Sequence, residues 1–193
     1  MTKSVNQIIS EVVMATKAKL LNDPLFLELF DEYPFAQNVR VANNGEINLH
    51  FYPTTIDEIK RQFSMLTMKT GSQFKFKFPS ILLILDTPIE FGGENPKAVI
   101  DIAILTQSNA EWPSFDKDYK VFRTVLRPIA DMFLKQLARS KHISRPYAGF
   151  KYTYVERFNT SADLVKQSVQ LYGSSVDAIE LIQMQLDLLN LEC

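Results

Sequence analysis

The chain has 193 residues, of which 46% are hydrophobic and 22% are charged, and its formal net charge is −1. This composition is typical of one globular domain and excludes a largely disordered chain. The near-neutral charge argues against a broadly basic nucleic-acid-binding protein, which needs a positive field to collect phosphates. Because the only cysteine is Cys193, the chain cannot form an internal disulfide or a cysteine-based metal cluster.

The N-terminal segment predicts an amphipathic helix of about sixteen residues. Apolar residues recur at helical spacing from Val5 to Leu21, Ser4 is a suitable N-cap, and the Asn-Asp-Pro sequence of residues 22–24 ends the helix. A short second helix is expected over residues 25–30. The longest apolar runs are about five residues, whereas a membrane span needs about 20. We therefore expect no signal peptide and no membrane association, and a protein that works in, or is assembled in, the cytoplasm.

The middle of the chain predicts a sheet. Residues 39–41 and 47–51 alternate and flank the turn sequence Asn43-Asn44-Gly45, which predicts a hairpin. Three further strands are expected, at residues 73–78, 81–85 and 98–105. Because residues 81–85 are all apolar, that strand should be covered on both faces.

Two connections in this region have their own patterns. Residues 54–71 predict a short helix whose apolar positions are Ile56, Ile59, Phe63 and Leu66. Residues 86–96 connect two strands through an exposed acidic turn that contains Glu90, Gly92, Gly93 and Glu94.

A long amphipathic helix is predicted to begin near residue 114, with Ser114 or Asp116 as its cap. Its buried face should consist of the apolar residues Phe122, Val125, Leu126, Ile129, Phe133 and Leu137. Pro128 should kink the helix or divide it near Arg127, because proline removes a backbone donor and crowds the preceding turn.

The C-terminal part predicts two more strands. Residues 151–157 alternate tyrosine with charge, and Ile182, Met184, Leu186 and Leu188 alternate with polar residues. A helix through Leu181, Met184, Leu188 and Leu191 is the competing interpretation of the last segment. Residues 159–175 favour no single structure. The expected fold is a single α+β domain over residues 1–193, with a mostly antiparallel sheet packed on one face by the N-terminal and long central helices.

Residues with catalytic or metal-binding chemistry are few. His50 and His142 are predicted to be ordinary surface histidines, and Asp116 is better explained as a helix cap than as an acid or base. Trp112 and the phenylalanines of residues 74–78 are expected to be core anchors, with exposed interface aromatics as the alternative. We predict no catalytic residue, no metal site and no cofactor.

Charged patches are the remaining candidates for function. One is the basic series Arg123, Arg127, Lys135, Arg139, Lys141 and Arg145, whose plain alternative is the solvated face of a helix. The acidic turn at residues 90–94 is complementary to it, and opposite patches on one chain suit a head-to-tail ring. Predicted contact residues between subunits are therefore Glu90, Gly92, Gly93, Glu94, Arg123, Arg127 and Arg139, together with Tyr152 and Tyr154 from the strand at residues 149–157.

The order of these elements resembles the tail-completion proteins of tailed bacteriophages, of the tail-terminator or neck type, particularly those of Bacteroidetes hosts. The resemblance is carried by the N-terminal helix, residues 78–83, the strand at residues 99–106, residues 122–129 and residues 176–180. These segments and their surroundings cover roughly two thirds of the chain. The chain departs from the pattern at residues 54–71 and 159–175.

The resemblance implies a structural protein of the virion, assembled in the host cytoplasm. It would form a homo-oligomeric ring, with six subunits as the first expectation and twelve as the second, at the neck or tail end. Its partners would be neck, tail-tube or portal-associated proteins, and DNA would only pass through. Two alternatives remain open: a non-enzymatic adaptor or binding module with an exposed apolar groove, and a metal-dependent hydrolase or nuclease that acts through Asp86 and Asp101.

Overall fold

The computed structural model describes residues 3–39, 47–55, 58, 78–84, 89–90, 96–109, 111–144, 149–158 and 176–189. Its first three elements are helices: α1 (Val5–Leu20), α2 (Pro24–Asp31) and α3 (Ala36–Val39). As predicted, Ser4 caps α1, and it forms a capping box with Gln7. Asp23 accepts the backbone N–H of Leu25 at 3.1 Å and caps α2, whose first residue is proline.

Seven strands form one sheet in the described part of the chain. They are β1 (His50–Thr54), β2 (Ser80–Ile84), β3 (Ile89–Glu90), β4 (Lys97–Gln107), β5 (Ile143–Ser144), β6 (Thr153–Arg157) and β7 (Val176–Leu188). The long strands β4 and β7 pair antiparallel at the centre. Strands β2 and β3 lie end to end along the other edge of β4, and β5 and β6 lie end to end along the other edge of β7.

The first strand is not part of the predicted hairpin. Val39, expected to be extended, is the last residue of α3, and β1 pairs parallel with β2, so that His50 lies opposite Ser80. A parallel pair needs a long connection, which residues 55–79 provide. The expected turn at residues 43–45 lies outside the described residues. Apart from this pair the sheet is antiparallel, and the fold is the predicted single-domain α+β class.

A bulge divides the central strand pair. Ile100 lies opposite Met184 but Ile102 lies opposite Leu181, so β7 has one extra residue at this point. Gln183 takes a φ of 54°, and its backbone N–H donates to Asp101 Oδ1 at 2.6 Å. After the bulge the buried side chains of β7 are at even-numbered positions, Met184, Leu186 and Leu188, whereas Ile179 and Leu181 before it are odd-numbered. Leu181 is therefore fully buried, and Ile182, which the alternation predicted to be inside, is only half-buried.

The central helix spans residues 114–137 and contains two kinds of helical turn. It begins with α4 (Ser114–Lys117), continues as a π-helix (Asp118–Leu126) and ends as α5 (Arg127–Leu137). Near Arg127, where a kink or division was predicted, the turns change from π to α and Pro128 is the second residue of α5, while the backbone stays helical through Leu126 and Arg127. The predicted cap is wrong: Pro113 precedes the helix, no side chain caps it, and Asp116 instead pairs with Lys120 at 3.1 Å.

The core lies between this sheet and the helices. Helix α1 packs against α5, β1 and β2, and the π-helix packs against β4 and β7. All six predicted inward residues of the central helix are buried, as are Ile81, Leu82 and Leu83 of β2. The last segment is a strand, so the helical alternative for it is wrong. Most of the predicted helix at residues 54–71, the strand at residues 73–77, and residues 159–175 lie outside the described residues.

Candidate functional site

A charged network joins the central helix to strand β6. Arg127 donates through Nε and Nη2 to the two carboxylate oxygens of Glu156, at 2.8 and 2.9 Å, and Nη2 also donates to Asp118. The Tyr154 hydroxyl donates to Glu156 Oε1 at 2.9 Å. Two-point pairing of a guanidinium with a carboxylate is strong and fixes its orientation. Arg127 therefore holds β6 to the helix.

The network changes the pKa values of its members in opposite directions. Hydrogen bonds with Glu156 raise the pKa of Arg127 above its usual range, and they are assisted by Asp118. The hydrogen bond from Arg127 lowers the pKa of Glu156 below its usual value. Burial, together with the bond to Glu156, raises the pKa of Tyr154. Each shift favours the state present at neutral pH, which is what a structural clamp requires.

Exposed aromatic and basic side chains surround this clamp. Tyr119 is 48% exposed and Tyr154 is 44% exposed. The guanidinium of Arg123 lies 5.1 Å from the centre of the Tyr119 ring, a distance typical of a cation-π contact. We call Tyr119, Arg123, Arg127, Tyr154 and Glu156 the arginine-tyrosine surface. Exposed tyrosine and arginine side chains are characteristic of protein-protein interfaces.

A groove of about 320 Å³ adjoins this surface. It lies between α2 and the central helix, and Leu20, Leu25, Phe26, Leu29, Pro128 and Met132 give it an apolar lining. Leu25 is 65% exposed there. Arg123, Arg127 and Lys135 line it from the central helix, together with the carboxylates Asp23 and Asp131. The groove therefore combines an apolar floor with a charged rim.

The predicted contact residues fall into three groups. Arg123, Arg127 and Tyr154 are brought together, and Tyr152, which is 36% exposed, lies two residues from Tyr154 in the chain. Arg139 is exposed just beyond α5 and does not line the groove. Glu90 ends β3, where its backbone lies opposite Lys97, so it is a strand residue and not part of the connecting turn in which it was predicted. Gly92, Gly93 and Glu94 lie outside the described residues.

The sequence analysis did not predict four residues of this region: Leu25, Asp118, Tyr119 and Glu156. Asp118 precedes Arg127 by nine residues, a spacing that an ordinary helix does not bring together. Glu156 could have been predicted, because it follows Tyr152 and Tyr154 at alternate positions of a predicted strand and therefore lies on the same face. Leu25 was predicted to lie in a short helix, and nothing in the sequence showed that its side chain would be exposed. An exposed leucine is by itself only a weak indication of an interface.

A second polar cluster is entirely buried. The Ser108 hydroxyl donates to Asp177 Oδ2 at 2.5 Å, and Lys117 Nζ lies 3.9 Å from Asp177 Oδ1. Burial lowers the pKa of Lys117, and the charge of Asp177 opposes that shift. Next to Ser108 in the chain, the carbonyl of Gln107 accepts a hydrogen bond from the Tyr33 hydroxyl at 2.7 Å. This buried cluster joins Lys117, at the start of the central helix, to Asp177 of β7 and to Ser108 just after β4.

The remaining candidates occupy structural positions. Asp101 accepts the N–H of Gln183, and Asp86 lies outside the described residues. His50 stacks on Tyr52 and is half-buried, so it is not the solvated histidine that was predicted. His142 Nε2 lies 3.9 Å from Glu11.

Trp112 is half-buried and stacks on Phe35 at 5.5 Å, so it lies at the margin of the core. In the described ranges no three His, Cys, Asp or Glu residues are grouped to hold a metal ion. Within those same ranges, no helix has the length and apolar character of a membrane span.

No family model matches this chain. A search of curated proteins likewise finds no similar sequence.

Proposed function

We propose that this chain is a structural protein of a tailed-phage virion. It forms a homo-oligomeric ring at the neck or the tail end, terminates the tail or connects it to the head, and leaves a channel for DNA. Its neighbours are neck, tail-tube or portal-associated proteins, and the ring is assembled in the host cytoplasm. The proposal extends the resemblance of the element order to tail-completion proteins.

The observation that carries the proposal is the arginine-tyrosine surface with its adjoining groove. Tyr119 and Tyr154 are about half exposed although the clamp holds both of their supporting elements in place. Rigid, exposed aromatics bind a partner with little loss of conformational entropy, because the surface is already ordered. Such a surface supports assembly into a larger particle.

The whole-chain charge is compatible with a DNA channel. A ring that lets DNA pass must avoid tight phosphate binding, because each phosphate contact would slow translocation. A net charge of −1 provides no general attraction for phosphates.

Electron microscopy of the purified protein tests this proposal. Negatively stained particles should be closed rings of uniform diameter with a central channel, and class averages should give one dominant rotational symmetry. Irregular particles or compact dimers without a channel would contradict it.

The groove also favours a second candidate function, that of an adaptor which binds a segment of another protein. Its volume of about 320 Å³ and apolar floor fit one or two large side chains. The two functions are distinguished by particle size: an adaptor stays a monomer or dimer and binds a partner in a one-to-one ratio, whereas a ring protein binds its own copies.

A further inference from the structure

We infer that strand β6 pairs antiparallel with β6 of a second copy of this chain, so that the two sheets join across a two-fold axis. The pairing is centred on Val155 of each copy. The inference goes beyond the proposed ring and does not rest on it, because an isologous contact needs only two chains.

Strand β6 lies at an edge of the sheet. It pairs with β7 along one side, and in the described ranges no strand pairs with its other side. The Gln185 N–H donates to the carbonyl of Lys151 at 3.0 Å, so the main-chain groups of Lys151 point towards β7. These groups alternate in direction along a strand, which turns Val155 towards β7 as well. The outer edge of β6 therefore presents the N–H and C=O groups of Tyr154 and Glu156.

The devices that usually block a sheet edge are absent from β6. Edges are commonly blocked by proline, by a bulge or by charged side chains. Strand β6 contains no proline and pairs with β7 without a shift in register, whereas β1, at the opposite edge, contains Pro53. The two charged side chains of β6 are both paired, Glu156 with Arg127 and Arg157 with Glu180 at 2.6 Å. Neither charge is left to repel an approaching strand.

The Arg127 clamp holds the outward-facing residues of this edge in place. Glu156 accepts hydrogen bonds from Arg127 through both carboxylate oxygens, and it accepts another from the Tyr154 hydroxyl. Tyr154 is nonetheless 44% exposed, so a second chain can reach the strand. An edge that is already ordered loses little conformational entropy when another strand pairs with it.

Two features select one register for the pairing. Strand β6 has five residues and Val155 is its centre, so only a pairing about Val155 places the whole strand opposite its copy. Each Tyr154 then lies opposite Glu156 of the second copy, and these residues have the outward main-chain groups. A pairing about Tyr154 would instead place Lys151 opposite Arg157, and like charges directly opposite each other are unfavourable. The edge is therefore complementary to its own copy.

Single cysteines test this register. Val155 lies opposite its own copy at a pair without hydrogen bonds between the chains, where Cα atoms are about 4.5 Å apart, within the span of a disulfide. Thr153 lies on the same face but opposite Arg157, so its two copies are about 13 Å apart along the strands. In a Cys193→Ser background, Val155→Cys should form a covalent dimer on mild oxidation at least about tenfold faster than Thr153→Cys. Thr153 is the more exposed residue, so random collisions would favour the control.

The main-chain hydrogen bonds are tested by a second substitution in the Val155→Cys protein. Tyr154→Pro removes an outward N–H that β7 does not use, and it should abolish the crosslink while circular dichroism still shows a folded chain. Tyr154→Phe keeps that N–H and should leave the rate of crosslinking unchanged.

The outcomes separate this inference from the proposed function. Fast crosslinking of Val155→Cys that Tyr154→Pro abolishes would support the pairing, whether or not electron microscopy shows rings. No covalent dimer, equally fast crosslinking of Thr153→Cys, or a crosslink that persists in the proline variant would overturn it. Rings without the crosslink would leave the proposed function intact, and crosslinked dimers without rings would leave only the pairing.

Discussion

Asp101 and Asp177 each lie among buried apolar residues of a central strand, and the fold uses both of them internally. Asp101 accepts a hydrogen bond from the Gln183 N–H, which lies in the bulge between β4 and β7. Asp177 accepts a hydrogen bond from the Ser108 hydroxyl and lies beside Lys117. A carboxylate in a strand can therefore indicate an irregular backbone or a buried network as well as a catalytic site. Sequence alone could not distinguish these uses, because the partners lie 82 and 69 residues away.

Replacing Asp101 with alanine should lower the free energy of unfolding by about 1–2 kcal/mol, because the Gln183 N–H loses a charged acceptor. Asp101→Asn retains an acceptor oxygen and should lose less than half as much. Urea denaturation measures both values, with Glu111→Ala, at an exposed loop carboxylate, as the control. Equal stability of Asp101→Ala and the wild type would show that the bulge does not need this side chain.

Lys117→Met should destabilise the protein by about 3–5 kcal/mol, because it removes a cation that faces the buried carboxylate of Asp177 at 3.9 Å. The double variant Lys117→Met with Asp177→Asn should lose less than the sum of the two single losses, since the side chain that faced Lys117 is then neutral. Thermal and urea unfolding of the four proteins give the coupling. Strictly additive losses would argue against the ion pair.

At the scale of elements, the π-helix explains a contact that helical periodicity hides. Nine residues span about two and a half turns of an α-helix, which would place Asp118 and Arg127 on opposite faces. The wider turns of the π-helix (Asp118–Leu126) bring both onto one face, where they form an ion pair. The α-helical period of 3.6 residues predicted the correct buried face of the central helix. It did not predict this ion pair, because π turns have no clear sequence signal.

A double-mutant cycle tests that geometry. Asp118→Asn and Arg127→Gln, alone and combined, should give a coupling energy of about 0.3–1 kcal/mol at low salt, as for other partly exposed pairs. The coupling should shrink at high salt, because screening weakens the attraction. A coupling near zero at low salt would show that this ion pair does not contribute to stability.

The attachment of β6 to the central helix should depend on pH. Because the pKa of Glu156 is lowered in the folded protein, its contribution is fully present above the unfolded value near 4.5 and is lost as pH falls through the folded value. Glu156→Gln removes this contribution. The stability difference between the wild type and Glu156→Gln should therefore be largest near neutral pH and shrink in acid. Urea denaturation at several pH values measures it, and a difference independent of pH would contradict the clamp.

For the whole molecule, local patterns predicted the elements better than their arrangement. The caps of α1, the buried face of the central helix and the final strand followed from spacing, which depends on neighbouring residues. The parallel partner of β1 did not, because strand pairing is set by contacts distant in sequence. The arginine-tyrosine surface was predicted in part: its arginines and Tyr154 were recognised as charges and aromatics, but their meeting required the fold.

Self-assembly through the arginine-tyrosine surface and the adjoining groove is tested most directly by the mass of the protein in solution. Sedimentation equilibrium of the wild type, over a wide concentration range, should give one fixed multiple of the 22.1 kDa chain. The double variant Tyr119→Ala with Tyr154→Ala should sediment as a monomer while remaining folded by circular dichroism. A wild type that stays monomeric throughout, or a variant that keeps the wild-type multiple, would contradict the account.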